Sequence, residues 1–124
     1  FDMDAMKVNT VMGRGQILQA IDACTRVDAK SSILEFIADI VTRTRDWPGI
    51  SVGASPRASV AMLMGSRSAA AIRGRDYVTP DDVLHIASWC LRHRVRLSPD
   101  AVIRGDTPDS VLEALLGSVE VPRE

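Results

Sequence analysis

The chain has 124 residues, 46% of them hydrophobic, 25% charged and only 4% aromatic. That length suits one domain with a true core, filled by Ile, Leu, Val, Met and Ala, a mix that favours helix over sheet. A formal net charge of −1, from 15 basic and 16 acidic residues, argues against a nucleic-acid binder, whose affinity rests on a basic excess, and no apolar run approaches the roughly 18–20 residues that span a bilayer.

The opening "FDMDAMKV" is acidic and lacks the basic start of a signal peptide. A first residue of Phe rather than Met is expected of a chain that begins inside a longer polypeptide. Residues 1–13 read as an irregular lead-in. From Arg14, the residues Ile17, Leu18, Ile21 and Cys24 share one stripe at helical spacing, which predicts a first helix ending near Arg26. Asp28 is a candidate N-cap for a second helix, with Ser32 and Glu35 as a capping box one turn further in. Ile33, Phe36, Ile37, Ile40 and Val41 form its buried stripe, and Trp47-Pro48-Gly49 stops it.

Ser55 reads as the N-cap of a third helix with Pro56 at its first position. This helix runs to about Arg73, with Gly74 as the residue just beyond its end. It is apolar on more than one face, as expected of a central helix. Thr79 and Pro80 open a fourth helix, Asp81 and Asp82 complement the positive end of its dipole, and Val78 and Val83 have the spacing of a hydrophobic staple. After His93, "RVRLSPDAVIRG" alternates weakly and predicts a short strand or two. Thr107-Pro108-Asp109 then opens a last helix carrying Val111, Leu112, Leu115 and Leu116. The fold class is all-α, mainly helical: a small bundle of four to five helices with room for a short strand pair near the C-terminus.

Chemistry is sparse along this chain. Neither a GxxxxGK[ST] phosphate loop nor a GxGxxG loop is present, and His85 and His93 sit in no nucleophile or metal motif. Cys24 and Cys90 lie far apart in helical patterns and read as two reduced, buried thiols of a cytoplasmic protein, not as a disulfide or metal pair. Arg92, His93, Arg94 and Arg96 read either as a solvated helix end or as a contact to a neighbouring subunit. The notable residue is Arg57, at the second position of the third helix. The free N–H groups there favour an anion, and a guanidinium adds bidentate recognition of phosphate oxygens. A solvated or salt-bridged first-turn arginine is the plain alternative.

Three blocks carry a family resemblance: Thr44-Arg45 followed by "GASPRAS" (Gly53 to Ser59), "GRDYVTPDDV" (Gly74 to Val83) and "LRHRVRLSPDA" (Leu91 to Ala101). In content and spacing they resemble the C-terminal part of MoxR-type AAA+ ATPases, over nearly the whole chain. The opening "FDM" is similar to the point where the ATPase core hands over to the lid. The resemblance implies a lead-in at 1–13 and a helical lid at 14–124, folding over ATP and Mg²⁺ held by a core that this chain lacks. It implies that Arg57 is the sensor 2 arginine, the catalytic residue of the lid, and that Ala54, Ser55, Pro56 and Arg57 lie at the nucleotide. The Walker motifs, sensor 1 and the arginine finger belong to the core. The chain alone is therefore expected neither to hydrolyse ATP nor to bind it tightly, and the parent protein is expected to be an ATPase.

The partners implied are the AAA+ core of the same chain, further copies in a homo-oligomeric ring such as a hexamer, a von Willebrand factor A domain protein and a client enzyme, often metal-dependent, matured in a chaperone-like way. Nucleic acid and membrane insertion are not expected. The alternative from another class is a non-enzymatic helical interaction module, histone-fold-like, in which Arg57 has no nucleotide role.

Overall fold

The computed structural model describes residues 9–122. Residues 9–13 are irregular, as the lead-in requires; the rest of that segment, with its "FDM" opening, lies outside the described residues. Six helices and two short strands follow: α1 (Arg14–Thr25), α2 (Ser31–Asp46), β1 (Ile50–Val52), α3 (Pro56–Ile72), α4 (Pro80–Leu91), β2 (Arg96–Leu97), α5 (Pro99–Ile103) and α6 (Pro108–Ser118). The chain is mainly helical with a strand pair, as expected, but among the described residues it forms six helices rather than four to five, and the pair joins a strand at 50–52 to one at 96–97 instead of lying wholly near the C-terminus.

One local device starts four of the helices. Ser55-Pro56, Thr79-Pro80, Ser98-Pro99 and Thr107-Pro108 each place a hydroxyl residue in extended conformation before a proline at N1. Proline is preset for the helix and lacks the N–H that would be left unpaired there. At α6 the exchange is reciprocal: Ser110 N–H donates to Thr107 Oγ1 at 3.1 Å, and Thr107 N–H donates to Ser110 Oγ at 3.0 Å. The same chemistry makes α5, where Ser98 Oγ accepts from the Ala101 N–H. The weak alternation of this stretch predicts strand alone; β2 occupies just two residues of it before Ser98 turns the chain.

α3 is the central element, packing chiefly against α4 and also against α2 and α1, while α6 closes the bundle on α2 and α4. Met62 and Ala58 of α3, Ile37 and Ile40 of α2, Val83 and Leu91 of α4, and Leu112 and Leu115 of α6 are buried together. Each large side chain among them contributes about 1.5–3 kcal/mol by leaving water. Gly74 adopts φ 73° just past α3. There Arg75 N–H bonds the Ala70 carbonyl and Gly74 N–H bonds the Ala71 carbonyl, the two-bond closure that a left-handed glycine permits.

Several expectations are corrected. α2 begins at Ser31 with Lys30, not Asp28, at the N-cap, and the Ser32–Glu35 box is not formed. Asp28 is instead held extended in a parallel bridge to Tyr77, its N–H donating to the Asp76 carbonyl and its carbonyl accepting from Val78 N–H. The thiols of Cys24 and Cys90 are half-buried rather than buried. The stripe of α1 is helical as predicted, but it is not a core stripe: Ile17, Leu18 and Ile21 are all exposed and no residue of α1 is buried.

Candidate functional site

The start of α3 is built by the end of α2. Thr44, in the last turns of α2, is fully buried. Its hydroxyl donates to the Val41 carbonyl at 2.6 Å and accepts the Ala54 N–H at 2.8 Å. The next residue, Arg45, donates from Nε to the Ala54 carbonyl at 3.3 Å. Residues 44 and 45 therefore hold both polar groups of Ala54, which is itself buried.

Gly53 makes this approach feasible. A β-carbon there would sit 2.6 Å from Arg45 Cα and 2.7 Å from the Thr44 carbonyl oxygen, far inside van der Waals contact. The spacing of "TR" and "GA" is thus a steric and hydrogen-bonding match between two backbone segments. β1 runs into it from the antiparallel pairing of Ile50 with Leu97 and Val52 with Arg96. The irregularity falls at Ser51, whose hydroxyl donates to the Arg96 and Leu97 carbonyls.

From this anchored residue the chain runs outward. Ser55, Pro56 and Arg57 are exposed and Ala58 returns to the core, its N–H bonded to the Ser55 carbonyl at 2.8 Å. Arg57 has no ion-pair partner among the described residues, and the first turn of α3 contains no acidic residue. By position its N–H has no acceptor within the helix. Of the four residues singled out for a nucleotide, three share this exposed turn, and Ala54 lies beneath them as the anchor. Thr44, Arg45 and Gly53 build this anchor, and their spacing from Arg57 is the signal for it in the sequence.

A second polar cluster ties α3 to α4. The Asp82 side chain is fully buried and accepts from Arg75 Nη1 and Nη2 at 2.8 and 2.7 Å, from Arg73, and from the Thr79 N–H and hydroxyl at 2.9 and 3.0 Å. Burial by itself would push this carboxyl up. The donors, led by Arg75 and the Thr79 backbone, outweigh it and hold Asp82 well below the usual carboxylate range. The hydrogen bond to Asp82 in turn raises Arg75. Asp81 is exposed, as a simple helix-dipole charge should be. The cluster is a structural clasp some way along α3 from Arg57.

The family model described as the AAA lid domain matches residues 42–115, more than half of the chain. This chain belongs to the AAA lid domain family. The lid is 38% identical over 96 residues to the uncharacterized protein YeaC of Bacillus subtilis, covering 77% of this chain and 30% of that protein. It is 30% identical over 124 residues to the chaperone MoxR1 of Mycobacterium tuberculosis, covering 91% of this chain and 32% of the relative. Among solved structures it superposes on a proposed ATPase from Cytophaga hutchinsonii with a TM-score of 0.86 at 25% identity, over 94% of this chain and 38% of that one. The lid therefore spans about a third of the length of each of these three proteins, and it is a lid of the MoxR type.

Proposed function

We propose that this lid closes over ATP in an AAA+ ATPase and that Arg57 is its sensor 2 residue, donating to oxygens of the γ-phosphate. The supporting observation is the state of Arg57: an exposed guanidinium without an ion-pair partner among the described residues, on an acid-free helix start rooted in a buried clamp. Those residues fit a phosphate. Arg57 offers a two-pronged donor, its own N–H points out of the first turn, and Ser55 and Pro56 form the surface that faces the nucleotide. ATP with Mg²⁺ supplies the electrophilic phosphorus. In this reading the ion is held by the core.

Arg57 neutralises charge that grows on the phosphate oxygens as the terminal phosphoryl group transfers. Because that contact exists only when lid and core meet, nucleotide state becomes lid position. The uncovered outer face of α1 fits a partner, and the core of the same protein is the one proposed. Carried over from the MoxR resemblance, the protein works as a cytoplasmic homo-oligomeric ring, a hexamer for instance, that matures client enzymes in a chaperone-like way beside a von Willebrand factor A domain protein.

The test is ATP turnover by the lid joined to its core, with and without Arg57→Ala. Turnover should fall roughly 10²-fold, the usual cost of removing one preorganised donor. Stability should stay within about 0.5 kcal/mol, because the side chain is exposed. Equal turnover would sink the sensor role. It would favour the helical interaction module, with Arg57 a solvated first-turn residue.

A further inference from the structure

We propose that Thr44 is a positioning residue for Arg57: its hydroxyl, at the end of α2, fixes the direction in which α3 starts and hence where the guanidinium is delivered. The inference rests on the sensor reading of Arg57.

A threonine in a helix satisfies itself with one bond to a carbonyl one turn back, and Thr44 makes that bond to Val41. This commits its proton, so the oxygen can act toward Ala54 only as an acceptor. It does so at 2.8 Å, in a fully buried setting. The chain between there and Arg57 has little freedom left. The Ala54 carbonyl is held by Arg45, Gly53 lies against the α2 backbone, Pro56 has its φ preset, and Ala58 is packed in the core.

The Arg57 side chain, by contrast, is exposed and has no ion-pair partner among the described residues. The protein fixes the root of this arginine and leaves its tip free, which suits a residue that must meet an anion brought by another body. A misplacement of about 1 Å at such a residue costs on the order of 10²-fold in rate, so the fixed root has a function to serve. Thr44 touches no nucleotide in this scheme and acts through the backbone of residues 54–57.

The experiment is a mutant cycle in the protein that carries this lid with its core. It measures kcat and KM for ATP per folded molecule, with folding checked by circular dichroism. Thr44→Val keeps the shape and removes the acceptor, leaving the Ala54 N–H buried without a partner. It should lower kcat about tenfold, short of the roughly 10²-fold cost of a full 1 Å misplacement, with KM changed less than kcat. Thr44→Ser restores the hydroxyl and should return kcat to within about twofold of the parent. Combined with Arg57→Ala, Thr44→Val should add almost nothing, since both act on one contact.

If Thr44→Val costs the same factor with Arg57 absent, or costs nothing while Arg57→Ala is impaired, the positioning role is overturned and the sensor reading survives. If Arg57→Ala turns over like the parent, the sensor reading fails and Thr44's role falls with it. Should Thr44→Val not fold, Arg45→Ala, which frees the Ala54 carbonyl by removing an exposed side chain, takes its place in the cycle and is read the same way.

Discussion

Replacing Asp82 by Asn tests how much of the lid's stability rests on one carboxylate. Asn keeps the shape but removes the charge and turns one acceptor oxygen into a donor facing other donors. Breaking a buried ion pair costs about 3–5 kcal/mol when the surviving partner stays buried. Here the survivors can rehydrate in part, because the Arg73 and Arg75 side chains are 42% and 25% exposed. The helix also loses a reciprocal cap bond of about 1 kcal/mol at Thr79. The expected loss is about 2–4 kcal/mol, a large share of the roughly 5–15 kcal/mol typical of a domain.

In urea, with a slope of about 1–3 kcal/mol per molar, the midpoint should drop by about 0.7 M or more with the slope unchanged. The pH dependence has a definite sign. The folded pKa lies below the unfolded value of about 3.9, so the contribution is complete above roughly pH 5 and is lost as pH falls through 4 and below. The gap between parent and variant should therefore shrink between pH 5 and pH 2. A midpoint shift under about 0.3 M at pH 7, or a gap independent of pH, would show that the clasp does not carry the stability assigned to it.

The glycines of α3 and its approach should respond in opposite ways to alanine. At Gly53 the new β-carbon meets backbone at 2.6 Å, so Gly53→Ala should cost at least about 2 kcal/mol in chemical denaturation. At Gly65 it meets the flexible tip of Ile86 at 2.9 Å; there a helix-propensity gain of about 0.8–1 kcal/mol offsets the rotamer cost, and stability should change by less than about 1 kcal/mol. Equal effects at the two sites would refute the contact argument. Burial pushes the Cys90 thiol up, with the Arg94 charge opposing in part. Its alkylation by iodoacetamide, followed by mass spectrometry, should reach half-maximal rate above about pH 8.5, the value for a free thiol.

Much of this lid is readable from short-range signals. The Ser/Thr-Pro starts at 55, 79 and 107 carry their own mechanism, and the stripe from Ile33 to Val41 could only be a buried helix face. Ser98-Pro99-Asp100 carries the same signal, but α5 is only five residues long and offers no periodicity to read. What escaped is what depends on distant partners. Asp28 looks like a cap until Tyr77 pairs with it, and Asp82 looks like a dipole charge until Arg73 and Arg75 close over it. Likewise Ile17, Leu18 and Ile21 spell a helix, but spacing cannot say whether anything lies across from it. The position of Arg57 was legible at once; the reason it is held there, the grip of Thr44 on Ala54, needed two segments to be brought together.

The exposed first helix has a consequence for how this lid is observed. Twelve residues are marginal as a helix by themselves in water, and α1 leans on α3 with none of its side chains fully buried. Both indoles sit elsewhere, Trp47 at the end of α2 and Trp89 on α4. The hollow beside Trp89 is lined by residues of α3 and α4 and by Arg73, so α1 can fray and re-form with little trace in the emission of that indole.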